Sequence, residues 1–123
     1  KLGSLECESG TDKTPKAKVK IFVDKEEKEA EESGDGPIDS VFKAISKAVD
    51  IYPVLDSYSV SSITGGMDAQ GEVTVTIKDG ETSARGKGSS TDVIIASAKA
   101  LINALNNLRW RKNHPKLNNP KGV

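Results

Sequence analysis

Apolar and polar residues alternate most cleanly at two places. Val19, Ile21 and Val23 are interleaved with Lys18, Lys20 and Asp24, and Val73, Val75 and Ile77 with Glu72, Thr74 and Thr76. A period of two predicts half-buried strands at both. Each strand is followed by a polar turn, a second short polar run and a glycine-rich stretch: Gly34-Asp35-Gly36-Pro37 in the first copy, Gly88-Ser89-Ser90-Thr91 in the second. The period then changes to three and four. Val41, Ala44, Ile45, Ala48 and Val49 form one apolar stripe after Asp39. Val93, Ile94, Ala96, Ala98, Leu101, Ile102, Leu105 and Leu108 form a longer one after Asp92. The copies lie about 53 residues apart. The pattern predicts an α+β fold of two pseudo-repeated βββα units packed together, with antiparallel sheets and one helix each. The units are expected at about 1–51 and 52–108, followed by a basic, flexible tail over 109–123.

Weaker signals fill in the remaining elements. Leu5, Cys7 and Ser9 alternate with Glu6 and Glu8, which suggests a first, partly exposed strand. Residues 26–32 are rich in Glu and Lys, yet Ala30 is their only apolar residue, so a helix there would have no face to bury. Comparison with the second copy favours a polar edge strand, on which charge discourages aggregation. Pro37 suits the first turn of a helix, and Tyr52-Pro53 would end it. Residues 54–63 read as a long strand with Leu55, Tyr58, Val60 and Ile63 as its larger side chains, followed by a flexible Gly65-Gly66-Met67-Asp68 loop. Asp79-Gly80 signals a hairpin, with a return strand over 82–86. Ser90 or Thr91 would cap the second helix, and its small residues Ala96, Ser97, Ala98 and Ala100 let a neighbour approach closely.

Composition narrows the function classes. The 123 residues make one domain by length, and 18 basic against 18 acidic residues leave no general electrostatic case for nucleic acid or an anionic membrane. The local exception is the tail, where Arg109, Arg111, Lys112, Lys116 and Lys121 gather with Trp110 alone as an aromatic. Cys7 is the single cysteine, so no internal disulfide can form. No apolar run approaches a membrane span. The start has neither a signal-peptide pattern nor an initiator methionine, which sets the expectation of a cytoplasmic piece cut from a longer protein.

Catalytic chemistry is hard to place. His114, the one histidine, sits beside Pro115 in the polar tail, and no Ser-His-Asp or Cys-His set can be assembled around it. One His, one Cys and scattered carboxylates make a poor metal site. Gly86-Lys87-Gly88-Ser89-Ser90 resembles a phosphate-cradling loop at a helix start, without the spacing of a P-loop. It reads first as a glycine turn with a helix cap, and otherwise as an anion site, which could equally take the carboxylate of an amino acid. Such a ligand needs an acceptor for its ammonium, and Asp35, Asp39, Asp68 and Asp92 lie in or beside the glycine loops. For Asp39 and Asp92, first-turn helix stabilisation is the competing explanation. Two similar loops in a pseudo-twofold chain suit a ligand site at a symmetric interface better than a catalytic centre.

Three ordered motifs then acquire a family. Residues 58–73 (YSVSSITGGMDAQGEV), Gly34-Asp35-Gly36-Pro37-Ile38-Asp39 and 86–94 (GKGSSTDVI), closed by 96–106, resemble the C-terminal regulatory domain of the 2-isopropylmalate synthase and citramalate synthase enzymes. The resemblance implies a homodimer that binds a branched-chain amino acid near its interface. The parent enzyme would carry a separate barrel domain that condenses acetyl-CoA with a 2-oxo acid using a divalent metal, and none of that machinery lies here. By the family's motif positions, effector contacts fall at Asp35, Gly36 and Pro37, at Leu55, Tyr58 and Ser62, at Gly65, Gly66 and Ala69, and at Thr91 and Asp92. The wording of 63–66 and 68–72 is closer to the isopropylmalate branch, which favours leucine over isoleucine. Met67 departs from the smaller or polar residue usual there. A dimerisation module without ligand, and a small phosphate-ligand enzyme using residues 86–90, are the competing classes.

Overall fold

The structure is a computed structural model that describes residues 2–9, 16–23, 25–63 and 70–113, with side chains for 16–23, 25–62 and 70–113. The elements run β1 (Leu2–Ser9), β2 (Lys16–Val23), β3 (Glu26–Ser33), α1 (Pro37–Val49), β4 (Val54–Ile63), β5 (Gln70–Asp79), β6 (Thr82–Ser90) and α2 (Val93–Asn113). They form two three-stranded antiparallel sheets, ordered β1-β2-β3 and β4-β5-β6. The predicted βββα repeat is therefore present. Its offset is 56 residues, from Val23 to Asp79 and Glu26 to Thr82 across the hairpins, and from Pro37 to Val93 at the helix starts.

The period-two alternation explains the core directly. Ala17, Val19 and Ile21 of β2, with Val73, Val75 and Ile77 of β5, are buried against the helices. α1 contributes Val41, Ala44, Ile45 and Ala48, and α2 contributes Ala100, Leu101, Ala104, Leu105 and Leu108. At about 25 cal/mol per Å² of apolar surface, this aliphatic burial is the main stabilising term. The acidic segment is a strand. Ala30 pairs with Val19, and directly opposed residues share a face, so the one apolar residue of β3 is turned inward and buried. α1 ends before Tyr52-Pro53, at Asp50, whose left-handed backbone (φ 56°, ψ 41°) lets the N–H groups of Asp50 and Ile51 return to Lys47 and Ser46 carbonyls.

The glycine-rich stretch of the second unit is not a turn. β6 runs through it to Ser90, with Gly86 and Gly88 paired to Val75 and Val73 and facing α2. A Cβ on Gly86 would lie 2.2 Å from Ala104 N and 2.3 Å from Ala100 O; one on Gly88 would lie 2.4 Å from Ala96 O. Helix backbone occupies the space a side chain needs, so these glycines exist to seat α2 on the strand. Their amides belong to the sheet, which removes the phosphate-cradle reading of residues 86–90.

α2 also closes the outer edge of β6. Lys99, Asn103, Asn107 and Arg111, four residues apart, donate to the carbonyls of Ser89 (3.4 Å), Lys87 (2.6 Å), Arg85 (2.6 Å) and Ser83 (3.2 Å), two residues apart. One helical step of four residues rises about 6 Å and two strand residues about 6.7 Å, so an antiparallel helix and strand stay in phase for several steps. Lys112 adds a bond to the Asp79 carboxylate. The helix is thus held to Asn113, five residues beyond the Leu108 boundary expected from the apolar stripe; 114–123, with His114, lie outside the described residues.

Candidate functional site

β4 is largely uncovered. Its register sets Leu55 opposite Ile77, Tyr58 opposite Val75, Val60 opposite Val73 and Ser62 opposite Gly71, with an irregularity between Leu55 and Ser57 that resets the alternation. These β4 residues therefore share the helix-side face of the sheet. Of their partners on β5, Ile77, Val75 and Val73 are buried because α2 packs on β6 and β5. β4 extends past that cover: Leu55 is 43% exposed and Val60 51%. Tyr58 alone among the described β4 side chains is half-buried.

Tyr58 owes that burial to both helices. Its ring meets Phe42 of α1 edge to face, with centroids 6.0 Å apart and planes at 71°. Its hydroxyl lies 2.7 Å from Ser97 Oγ on α2, and Ser97 donates to the Val93 carbonyl at 2.7 Å. Phe42 is half-buried and Ser97 fully buried. Neither was singled out in the sequence as a partner of Tyr58. Phe42 sits beside the apolar stripe of α1, and Ser97 is masked by the alanines around it.

The two helix starts are built differently. At α1, Gly36 is the N-cap without a side-chain cap and Pro37 takes the first helical position, as the sequence predicts. Asp39 reaches back instead, accepting from the Asp35 N–H at 2.9 Å and pairing with Lys43 at 3.2 Å. The Asp35 bond holds its carboxyl below the usual carboxylate range; slight desolvation opposes this and Lys43 reinforces it. Gly34 makes room, since a Cβ there would lie 2.3 Å from Asp39 Oδ2. At α2 the cap is Asp92, not Ser90 or Thr91. Its Oδ1 accepts from the Ile94 N–H at 2.8 Å, while Ser90 Oγ accepts from the Asp92 N–H at 3.1 Å. Helix stabilisation thus uses an oxygen of both Asp39 and Asp92. Thr91 is exposed.

A cavity of about 410 Å³ opens beside the start of β4, with Phe42, Leu55, Ile77 and Leu101 among its apolar walls. Asp39, Lys43, Lys47 and Glu32 also line it, and Lys47 pairs with Glu32 at 3.1 Å. Of the effector contacts that the resemblance implies, Leu55 lines it, as does Asp39, one of the acceptor candidates for an ammonium. Asp35, Gly36 and Pro37, then Tyr58 and Ser62, then Thr91 and Asp92 lie outside its lining, and Gly65, Gly66 and Ala69 lie outside the described residues. Among the described residues no group of His, Cys, Asp and Glu is placed to hold a metal ion, and no helix is long and apolar enough to cross a membrane.

Residues 1–109 match the LeuA allosteric (dimerisation) domain. The chain belongs to that family. Among curated proteins it is 51% identical over 105 residues to the 2-isopropylmalate synthase of Nitratidesulfovibrio vulgaris, a match covering 85% of this chain and 20% of that protein. It is 46% identical over 110 residues to the 2-isopropylmalate synthase of Nitrosococcus oceani (89% and 22%). The enzyme of that name from Methylococcus capsulatus is 44% identical over 119 residues (95% and 23%). The chain thus spans about a fifth of the length of these relatives.

Proposed function

We propose that this domain binds leucine and gives feedback inhibition of a 2-isopropylmalate synthase, as a homodimer in which a second copy covers the helix-side face of β4. The observation that carries this reading is the exposure of Leu55 and Val60 on a strand face whose β5 neighbours are buried, in a chain of an allosteric dimerisation family. An aliphatic effector side chain finds apolar surface at Leu55 and Tyr58, with Ser62 on the same strand face. Its carboxylate is drawn to the helix starts at Asp35, Gly36, Pro37 and Thr91, where backbone N–H groups and the helix dipole favour an anion. The remaining carboxylate oxygen of Asp92 takes its ammonium. Acetyl-CoA, the 2-oxo acid and the divalent metal belong to the catalytic part of the longer enzyme. Inhibition requires leucine to bind the inhibited arrangement more tightly than the active one; without that difference, occupancy shifts nothing.

Calorimetry against leucine, isoleucine and valine, with sedimentation of the same samples, tests the proposal. A saturable response to leucine from a dimer supports it. A preference for isoleucine points to a citramalate synthase. A dimer silent to all three is a dimerisation module, and the leucine reading falls.

A further inference from the structure

Tyr58 fastens β4 to the rest of the domain, and it does so through a directed pair of hydrogen bonds. A serine hydroxyl has one hydrogen. Ser97 gives its hydrogen to the Val93 carbonyl at 2.7 Å, so across the 2.7 Å contact Tyr58 is the donor and Ser97 the acceptor. The chain runs from Tyr58 O–H to Ser97 O–H to the carbonyl of Val93, the first residue of α2. Val93 follows Asp92, whose side chain caps the helix through Ile94. The strand face and the helix start proposed above as two sides of the effector site are therefore joined by two side chains, one of them buried and out of a ligand's reach.

We infer that Ser97 is a positioning residue of the effector site: by fixing the Tyr58 hydroxyl and the first turn of α2 together, it makes the strand half and the helix half of the site one unit. The inference rests on the amino-acid reading for its ligand and on Ser97 itself for its geometry. Without the Ser97 acceptor, a half-buried phenol hydroxyl must find water or swing outward. Without the Tyr58 donor, Ser97 keeps its helix bond but is no longer tied to β4. Hydrogen bonds linked in this way strengthen one another, so their deletions do not add.

The test compares the full chain with its Ser97→Ala, Tyr58→Phe and doubly substituted forms by leucine calorimetry and by hydrogen exchange of the ligand-free proteins. The expected result is that each single change weakens leucine roughly five- to tenfold, as losing one buried hydrogen bond does. The double variant should then be no weaker than either single one, and both single variants should speed exchange of the amides of 97–99, whose helical bonds accept at the first residues of α2. If Ser97→Ala binds leucine like the parent while Tyr58→Phe does not, the phenol touches the effector directly and the inference is overturned. Should the parent chain bind no branched-chain amino acid, the leucine reading fails on its own, and exchange still decides the linkage. Tyr58→Phe leaving α2 untouched would then sink it.

Discussion

The two βββα units solve one problem in different ways: how to keep a helix on a three-stranded sheet. In the second unit α2 lies directly on glycines, and its Lys99, Asn103, Asn107 and Arg111 row is tied to the carbonyls of the β6 edge. In the first unit Ala30 and Glu32 stand where Gly86 and Gly88 do, one repeat later. The shorter α1 carries only Lys43 and Lys47 of the equivalent row: Lys43 pairs with Asp39 of α1 itself, and Lys47 with the side-chain carboxylate of Glu32 on β3. A backbone-tied helix is fixed in one register, whereas exposed ion pairs add little to the apolar packing of Val41, Ala44, Ile45 and Ala48 that holds α1. The difference also shows at the sheet edges. β6 is sealed by a helix and β3 is lined with charge, both known devices against strand addition. Among the edge strands with described side chains, β4 has neither, in keeping with the proposal that a second copy covers it.

The largest effect expected from breaking this comparison is at the glycine seat. Gly88→Val places side-chain atoms where Ala96 O and Ala100 N already lie, at 2.4 and 2.6 Å from the first added atom. Since those are backbone atoms, α2 must lift off β6. A loss of more than about 3 kcal/mol is expected, read as a collapse of the urea midpoint. Substitution of Ala30 by Val, at the equivalent place in the first unit, should cost less. Next comes the open face. Val60→Lys puts a charge on a residue that is 51% exposed in the single chain, so folding should change by less than about 0.5 kcal/mol. Across a twofold interface it sets like charges together, and dimer dissociation should rise on the order of a hundredfold by sedimentation. A dimer unaffected by Val60→Lys would move the interface off β4.

The edge ladder gives a smaller and more discriminating effect. Asn107→Ala removes one 2.6 Å bond to the Arg85 carbonyl and should cost about 1 kcal/mol in thermal or urea unfolding. Lys47→Ala removes the 3.1 Å pair with Glu32, whose side chain is 38% exposed against 52% for Lys47, and should cost at most about 0.5 kcal/mol. Equal losses would erase the distinction drawn between the two helices.

How much of this could be read in the chain depends on which atoms do the work. Strands β2 and β5 and both helices follow from side-chain periodicity, because the residues that bury are the ones that alternate or recur. The acidic β3 was legible only by analogy with the second unit, since a single Ala30 carries its inward face. Gly86 and Gly88 read as a loop because glycine runs usually are; their strand role depends on where the α2 backbone passes. The ladder is hidden for a similar reason. Lys99, Asn103, Asn107 and Arg111 look like a solvated helix face, and their partners are carbonyls that every residue has. Of the site, Leu55 and Tyr58 were legible as apolar positions on a strand, while Ser97 was not, because its polar role appears only when Tyr58 is placed against it.

The smallest effect concerns the α1 start, and it has a sign. The Asp39 carboxyl lies below its ordinary value of 3.8 because it accepts from the Asp35 N–H and faces Lys43. A carboxylate depressed on folding stabilises the native state fully above its unfolded value, and that contribution is lost as pH falls through the lower folded one. The window is therefore below about pH 4, and the side chain's 42% exposure keeps the effect modest through screening. Asp39→Asn should flatten the decline of stability between neutral pH and pH 2 relative to the parent, in melts at matched ionic strength. Gly34→Ala supplies an independent check. Its Cβ would lie 2.3 Å from Asp39 Oδ2 and 2.9 Å from the Ser40 backbone N, so the carboxylate must leave Asp35 and the helix start must give slightly, although the charge remains. If the backbone bond is the chief cause of the depression, Gly34→Ala should flatten the acid limb nearly as much as Asp39→Asn. If Lys43 is, the limb should survive Gly34→Ala and disappear on Lys43→Ala instead.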